Sequence, residues 1–175
     1  MSHTAYDLDP DDRPYTQIRV EQLDSRFENF DLVGDIRDAD GKKGNTVYVE
    51  CKNYTSAGNQ GTYYAEYLAT CYSAFAAKTK SLGHVPSIEF MWATTHPFSQ
   101  NTFAKLTDEA TIAEACAHET HKTRLGSDSY DPALSDLLSG RLWLVVVNDR
   151  MLEEMIMGDE LRAAVLGRMV QMGTA

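Results

Sequence analysis

The segment VYVECKNY, residues 47–54, is the tightest constraint on what this chain can fold into. Valine, tyrosine and cysteine at this density favour a strand, and successive strand side chains point to opposite faces. Val49 and Cys51 therefore share one face, and Glu50 and Lys52 share the other. Upstream, NFDLVGDIRD (29–38) reads as a second strand. DADGKKGN between them is a turn rich in Gly, Asp and Asn, so residues 29–53 are expected to form a β-hairpin. A half-buried strand ordinarily leaves scattered charges to water, and an exposed ion pair is worth little. Taken alone, Glu50 and Lys52 read as such a solvated pair.

The rest of the chain supplies a scaffold for that hairpin. Residues 60–80, QGTYYAEYLATCYSAFAAKTK, carry Tyr64, Leu68, Cys71, Tyr72 and Phe75 at helical spacing. SIEFMWATT (87–95) is expected to be a strand, and SQNTFAKLTDEATIAEACAHETHK to be helical with a break near Thr107. DPALSDLLSG is a short helix closed by Gly140. RLWLVVVND (141–149) is a continuous apolar run, consistent with a strand buried on both faces. A final helix or helix pair is expected over 150–172. TQIRVEQL (16–23) fits a strand or a short helix equally. This order of elements is a mixed α/β sandwich: an acidic mobile arm over 1–14, then a single domain over 15–175.

Composition narrows the class. At 175 residues and 43% hydrophobic, the chain can bury one full core. No apolar run approaches a membrane span, and the acidic start MSHTAYDLDPDDRPY is unlike a secretory signal. Cys51, Cys71 and Cys116 are odd in number and lack CxxC spacing, so reduced core cysteines and a cytoplasmic location are expected. The net charge of −10 opposes an extended phosphate-binding surface.

Hairpin pairing can bring Asp31, at the start of the first strand, beside Glu50 near the end of the second. Two adjacent carboxylates raise each other's pKa unless a cation lies between them. Mg²⁺ prefers oxygen ligands and commonly takes one or two carboxylates with waters and substrate phosphate. The backbone carbonyl of Cys51 is one further oxygen. Lys52, on the Glu50 face, could then orient an attacking water, help deprotonate it, or stabilise transition-state charge.

With these residues in place, FDLVG followed across a hairpin by VYVECK resembles the core of the PD-(D/E)xK nuclease superfamily, the restriction-endonuclease-like fold. The resemblance covers residues 29–80. It implies a mixed β-sheet flanked by helices, with the hairpin carrying the active site. It implies Asp31 and Glu50 as metal ligands with the Cys51 carbonyl, Lys52 as a catalytic residue, and Mg²⁺, or Mn²⁺ in its place, as cofactor. A Gln or Tyr near the start of the following helix belongs to the same pattern; Gln60 is the preferred match among Gln60, Tyr63 and Tyr64. Asp35 competes with Asp31, which is favoured because FDLVG matches the family's Asp-apolar-apolar-Gly run. The family's upstream acid has only Glu21 or Glu28 as candidates here, without a convincing helix. The activity implied is hydrolysis of phosphodiester bonds in DNA, with restriction or anti-phage (antiviral) defence as its setting. The alternative is a catalytically inactive nuclease-fold module acting in DNA binding or complex assembly.

Other motifs carry less. HETH (118–121) offers two histidines without a third ligand nearby. His96, after a strand, could fall near the hairpin's site. The Met-rich C-terminal tail is amphipathic, which makes a homo-oligomer or a partner subunit an expectation. Cations near the hairpin are few: Lys42, Lys43 and Lys52, with Lys78 and Lys80 farther along the helix. Because the salt slope scales at about 0.9 per neutralised phosphate, the isolated chain is predicted to bind DNA weakly and with a shallow slope. A binding titration across a salt series checks this; tight binding with a steep slope contradicts it.

Overall fold

The computed structural model describes residues 3–5, 18–37, 42–56, 58–147 and 167. In chain order these form β1 (His3–Ala5), β2 (Arg19–Glu21), β3 (Phe27–Asn29), β4 (Leu32–Arg37), β5 (Lys43–Lys52), α1 (Gln60–Leu82), β6 (Ile88–Thr94), α2 (Glu109–Ala117), α3 (Pro132–Ser139) and β7 (Leu142–Val146). Short 3₁₀ helices cover Gln100–Lys105 and Lys122–Leu125. The protein is a mixed α/β structure around a five-stranded sheet in the order β1-β4-β5-β6-β7, with β2 and β3 pairing separately. β4 and β5 are antiparallel, whereas β5, β6 and β7 run parallel. Parallel neighbours need a long crossover, and α1 and the α2–α3 segment supply the two required here.

β5 is the central strand, and its alternation divides the interior. Val47, Val49 and Cys51 pack with Ala93 and Val147 on one face. On the other, Tyr48 stacks against Phe90 and lies against Phe30, beneath α1. α1 is buried along Tyr67–Ala76 without interruption, a wider apolar surface than the five sequence positions indicate. The reason is its place between the sheet and the layer made by α2, α3 and the 122–125 turn, which leaves no solvent face in its middle. The helix ends at Gly83, whose left-handed φ of 73° lets its N–H reach the Thr79 carbonyl. Among the described residues no helix is long and apolar enough to cross a membrane.

Two expectations change and one open reading is decided. Residues 3–5, expected within a mobile arm, instead add a strand to the β4 edge, with Thr4 opposite Ile36; three residues carry no pattern that announces this. The remainder of the 1–14 arm lies outside the described residues. Within TQIRVEQL, Arg19–Glu21 form the strand β2, in a second small hairpin with β3. β7 is not buried on both faces: among the described residues it lies at the sheet edge, with Trp143 49% exposed and hydrogen-bonded through Nε1 to Glu89. An apolar run alone does not show that both faces of a strand are covered, nor whether the strand has two neighbours. The final helix over 150–172 falls outside the described residues apart from Gly167.

One buried hydroxyl ties the peripheral hairpin to the core. Ser73 Oγ, on α1, accepts from the Leu23 N–H at 2.9 Å and donates to the Arg124 carbonyl at 2.6 Å. Ser73 itself is fully buried. Ser73→Ala is predicted to lower stability by about 1–3 kcal/mol, because a buried N–H loses its acceptor. Urea unfolding measures this, and an unchanged midpoint would contradict the bridge.

Candidate active site

Leu32 sits opposite Val49, so the preceding residue, Asp31, comes opposite Glu50. The strand pair ends there in an unusual way. The Asp31 N–H still donates to the Val49 carbonyl at 3.0 Å, but the Cys51 N–H donates to the Asp31 carboxylate, to Oδ2 at 2.8 Å. A side-chain oxygen has replaced a backbone carbonyl as the last rung, which holds the carboxylate against the end of β5. Asp35 lies opposite Thr46, whose hydroxyl it accepts at 3.1 Å. Four strand residues, about 13 Å, separate it from the Asp31 position, so Asp31 and not Asp35 is the neighbour of Glu50.

Lys52 shares the Glu50 face. Its ammonium donates to Glu50 Oε1 at 2.5 Å and lies 5.6 Å from the centre of the Trp92 ring. Trp92 is opposite Glu50 on β6 and is itself buried against Tyr64 and Tyr67 of α1. Glu50 and Lys52 open into a cleft of about 220 Å³ that Glu28, Tyr63, Glu66, Tyr67, Trp92 and Arg124 also line. Arg124 spans one wall, donating to Glu28 of β3 and Glu66 of α1, each at 2.8 Å. The expected solvated pair is thus a half-buried one inside a cleft.

Electrostatics follows from that burial. Desolvation pushes the Glu50 carboxyl above its ordinary value; Lys52 opposes this, and the negative charges of Asp31 and Glu28 add to it. Burial pulls the Lys52 ammonium down, but Glu50 and Asp31 more than reverse the effect, so its pKa ends raised. Lys52 is therefore an ammonium at neutral pH. That favours orienting and charge-stabilising work over removing a proton as a free amine.

The donor set fits a hard divalent cation that keeps most of its ligands as water and substrate. Among the described residues no group of three or more His, Cys, Asp or Glu side chains is placed to hold one ion. Asp31 and Glu50 are two carboxylates on facing strand positions, which is what Mg²⁺ commonly takes from a protein. In β5 the even positions bond to β6: Thr46 donates to Ser87, and Lys52 accepts from Thr95. The Cys51 carbonyl is therefore directed to the Asp31 side, while its thiol is fully buried on the opposite face. A cation shared by both acids would relieve the repulsion that Asp31 adds to the desolvation of Glu50.

Other candidates are placed elsewhere. Gln60 opens α1 but is fully buried; its amide donates to the Ser56 carbonyl and accepts from the Thr94 hydroxyl, each at 3.0 Å. Since Thr94 is opposite Lys52, Gln60 braces the Lys52 neighbourhood from behind and does not line the cleft. Tyr64 donates to the Leu106 carbonyl in the core. The His96 ring contacts the Pro97 carbonyl, and His96, like Asp31 at the adjoining strand end, is not among the residues that line the cleft. His118 and His121 lie with ring centroids 4.9 Å apart, but His121 is buried with Nδ1 on the Ala115 carbonyl. Lys80 is paired with Asp128, and Lys78 lines a separate cavity beside Arg19 and Phe27. Arg124, Glu66 and Trp92 had no sequence signal, because only the packing of distant segments brings them to Glu50.

Two substitutions separate the roles of Asp31. Asp31→Ala removes the acceptor of the buried Cys51 N–H and is predicted to cost about 1–3 kcal/mol. Asp31→Asn keeps an acceptor oxygen and removes the charge, so its loss should be under about 1 kcal/mol. In Asp31→Asn the Glu50 carboxyl should titrate lower than in the wild type, yet above the ordinary value because burial persists. A folded pKa above the unfolded one means stability is fully present below the unfolded value and falls as pH rises through the raised one. Asp31→Asn should therefore gain on the wild type with rising pH. Carboxyl-resolved NMR titration and urea unfolding at acid and neutral pH read these effects; an unmoved Glu50 titration contradicts the coupling.

The chain matches no family model, no curated protein and no solved structure.

Proposed function

We propose that the cleft is the active site of a metal-dependent nuclease of restriction-endonuclease-like fold, hydrolysing phosphodiester bonds in DNA. The observation that carries this reading is the juxtaposition of Asp31 with Glu50 at the end of the β4–β5 pair, with Lys52 on the same face. The order of hairpin, long helix and parallel strand agrees with it. Asp31, Glu50 and the Cys51 carbonyl would hold Mg²⁺ or Mn²⁺, which when bound polarises a phosphoryl oxygen and lowers the pKa of water. Lys52 orients the attacking water and stabilises charge on the phosphoryl oxygens as an ammonium. Trp92 limits where that ammonium can sit, and Gln60, through Thr94, holds the strand end beneath it. A setting in restriction or antiviral defence rests on the resemblance alone.

One observation favours the second reading, a catalytically inactive module of the same fold. The Glu50–Lys52 pair is closed on itself, and three glutamates line the cleft against two cations. Cleavage separates the readings. With Mg²⁺ or Mn²⁺ the wild type is predicted to cut DNA, offered both as plasmid and as single-stranded circles, and Lys52→Ala to be slower by about 10²-fold or more. Millimolar Mn²⁺ should raise the melting temperature of the wild type, a stabilisation of about 2.7 kcal/mol at a hundredfold excess over Kd. It should not do so for the Asp31→Asn, Glu50→Gln double variant. Equal shifts in both proteins would assign the binding to the acidic surface at large.

A further inference from the structure

The cleft mouth carries an aromatic pair that phosphodiester chemistry leaves unused. Tyr54 follows β5, and Tyr63 lies in the first turn of α1; their rings stack with centroids 6.5 Å apart and planes at 21°. Tyr63 is 49% exposed yet lines the same cleft as Glu50 and Lys52. A lone exposed tyrosine is ordinary. This one is held on a rigid helix, backed by a second ring, and set at the rim of a charged cleft.

The floor supplies a second, independent observation. Trp92 is 1% exposed, and its indole Nε1 has no hydrogen-bond partner among the described residues. The Tyr67 hydroxyl, 5% exposed, likewise makes no hydrogen bond of ordinary geometry, though the weak Cys71 thiol lies near it. Both donor atoms are closed off from solvent, so these two residues give the cleft ring surface and not hydrogen-bond donors. Both residues line this cleft. The site therefore presents the exposed π-face of Tyr63, aromatic lining from Trp92 and Tyr67, and the cations Lys52 and Arg124.

A nucleotide matches those surfaces, with a flat ring to stack and an anionic phosphate. A base-paired duplex does not, because its ring faces are already stacked on their neighbours. The volume of about 220 Å³ also suits one flat group and not a helix. Charge points the same way. With so few cations, phosphate contacts cannot supply much affinity, whereas base–aromatic stacking works without them. Resting on the reading of the cleft as a phosphodiester site, we propose that its substrate is unpaired nucleic acid, one base of which stacks on Tyr63.

Binding, not cleavage, tests this. Fluorescence anisotropy of the full chain in calcium buffer would compare a labelled 12-nucleotide oligothymidylate, the same backbone with abasic sites, and a 12-base-pair duplex. The single strand should bind at least tenfold more tightly than either of the others. Tyr63→Ala should weaken it by roughly five- to hundredfold, the range of one stacked base, and Tyr63→Phe should restore it. Circular dichroism of both variants confirms that they fold. Equal or tighter duplex binding, equal abasic binding, indifference to Tyr63→Ala, or no binding at all overturns the proposal. The nuclease reading fails separately: Tyr63-dependent binding without metal-dependent cleavage keeps the unpaired substrate and removes the catalysis, and duplex cleavage indifferent to Tyr63 does the reverse.

Discussion

The hydrogen bond from the Cys51 N–H to the Asp31 carboxylate is the contact on which the site depends. It ends the β4–β5 ladder with a side chain in place of a carbonyl and so sets an acid opposite Glu50. Cys51 is fully buried on the far face of β5, among Val47, Val49 and Ala93. The donor that holds Asp31 is thus anchored by the core itself. The alternation of β5 then does the rest: whatever packing fixes Val49 and Cys51 also fixes Glu50 and Lys52 on the opposite face.

The cost of the arrangement is electrostatic. Glu50 is half-buried beside Asp31, with Glu28 contributing a third negative charge, and among the described residues Lys52 is the cation that answers directly. Arg124 is committed to Glu28 and Glu66 and so neutralises the wall more than the floor. Like charges gathered in low dielectric do not serve stability, since nearby apolar packing would hold the same elements together at less cost. That cluster of charge is the observation from which the proposed cation site is argued.

Much of this was legible in the sequence. The same-face relation of Glu50 and Lys52 follows from a period of two, and α1, β6 and α3 fall close to where apolar spacing and the Asp131 and Gly140 caps put them. The FDLVG run favoured Asp31 over Asp35 in the sequence, but that Asp31 falls opposite Glu50 is a matter of strand register. That register is irregular near the hairpin tip, where a shift falls between Asp35 and Arg37, and turn composition alone does not specify it. Arg124 and Trp92 were invisible because they reach Glu50 only through folding, and β7 was misjudged because apolar runs look alike at a sheet's edge and centre. Gln60 was noticed for its position after Glu-x-Lys, but burial directs its amide to Ser56 and Thr94.

The central claim is that Asp31 and Glu50 form one cation site with Lys52 beside it. The most direct measurement is an anomalous-difference map from a crystal of the full chain grown with Mn²⁺. The account predicts a peak shared by the Asp31 and Glu50 carboxylates, with the Lys52 ammonium displaced from Glu50. A map in which Mn²⁺ sits only at other acidic residues, with the Glu50–Lys52 pair still closed, would contradict it.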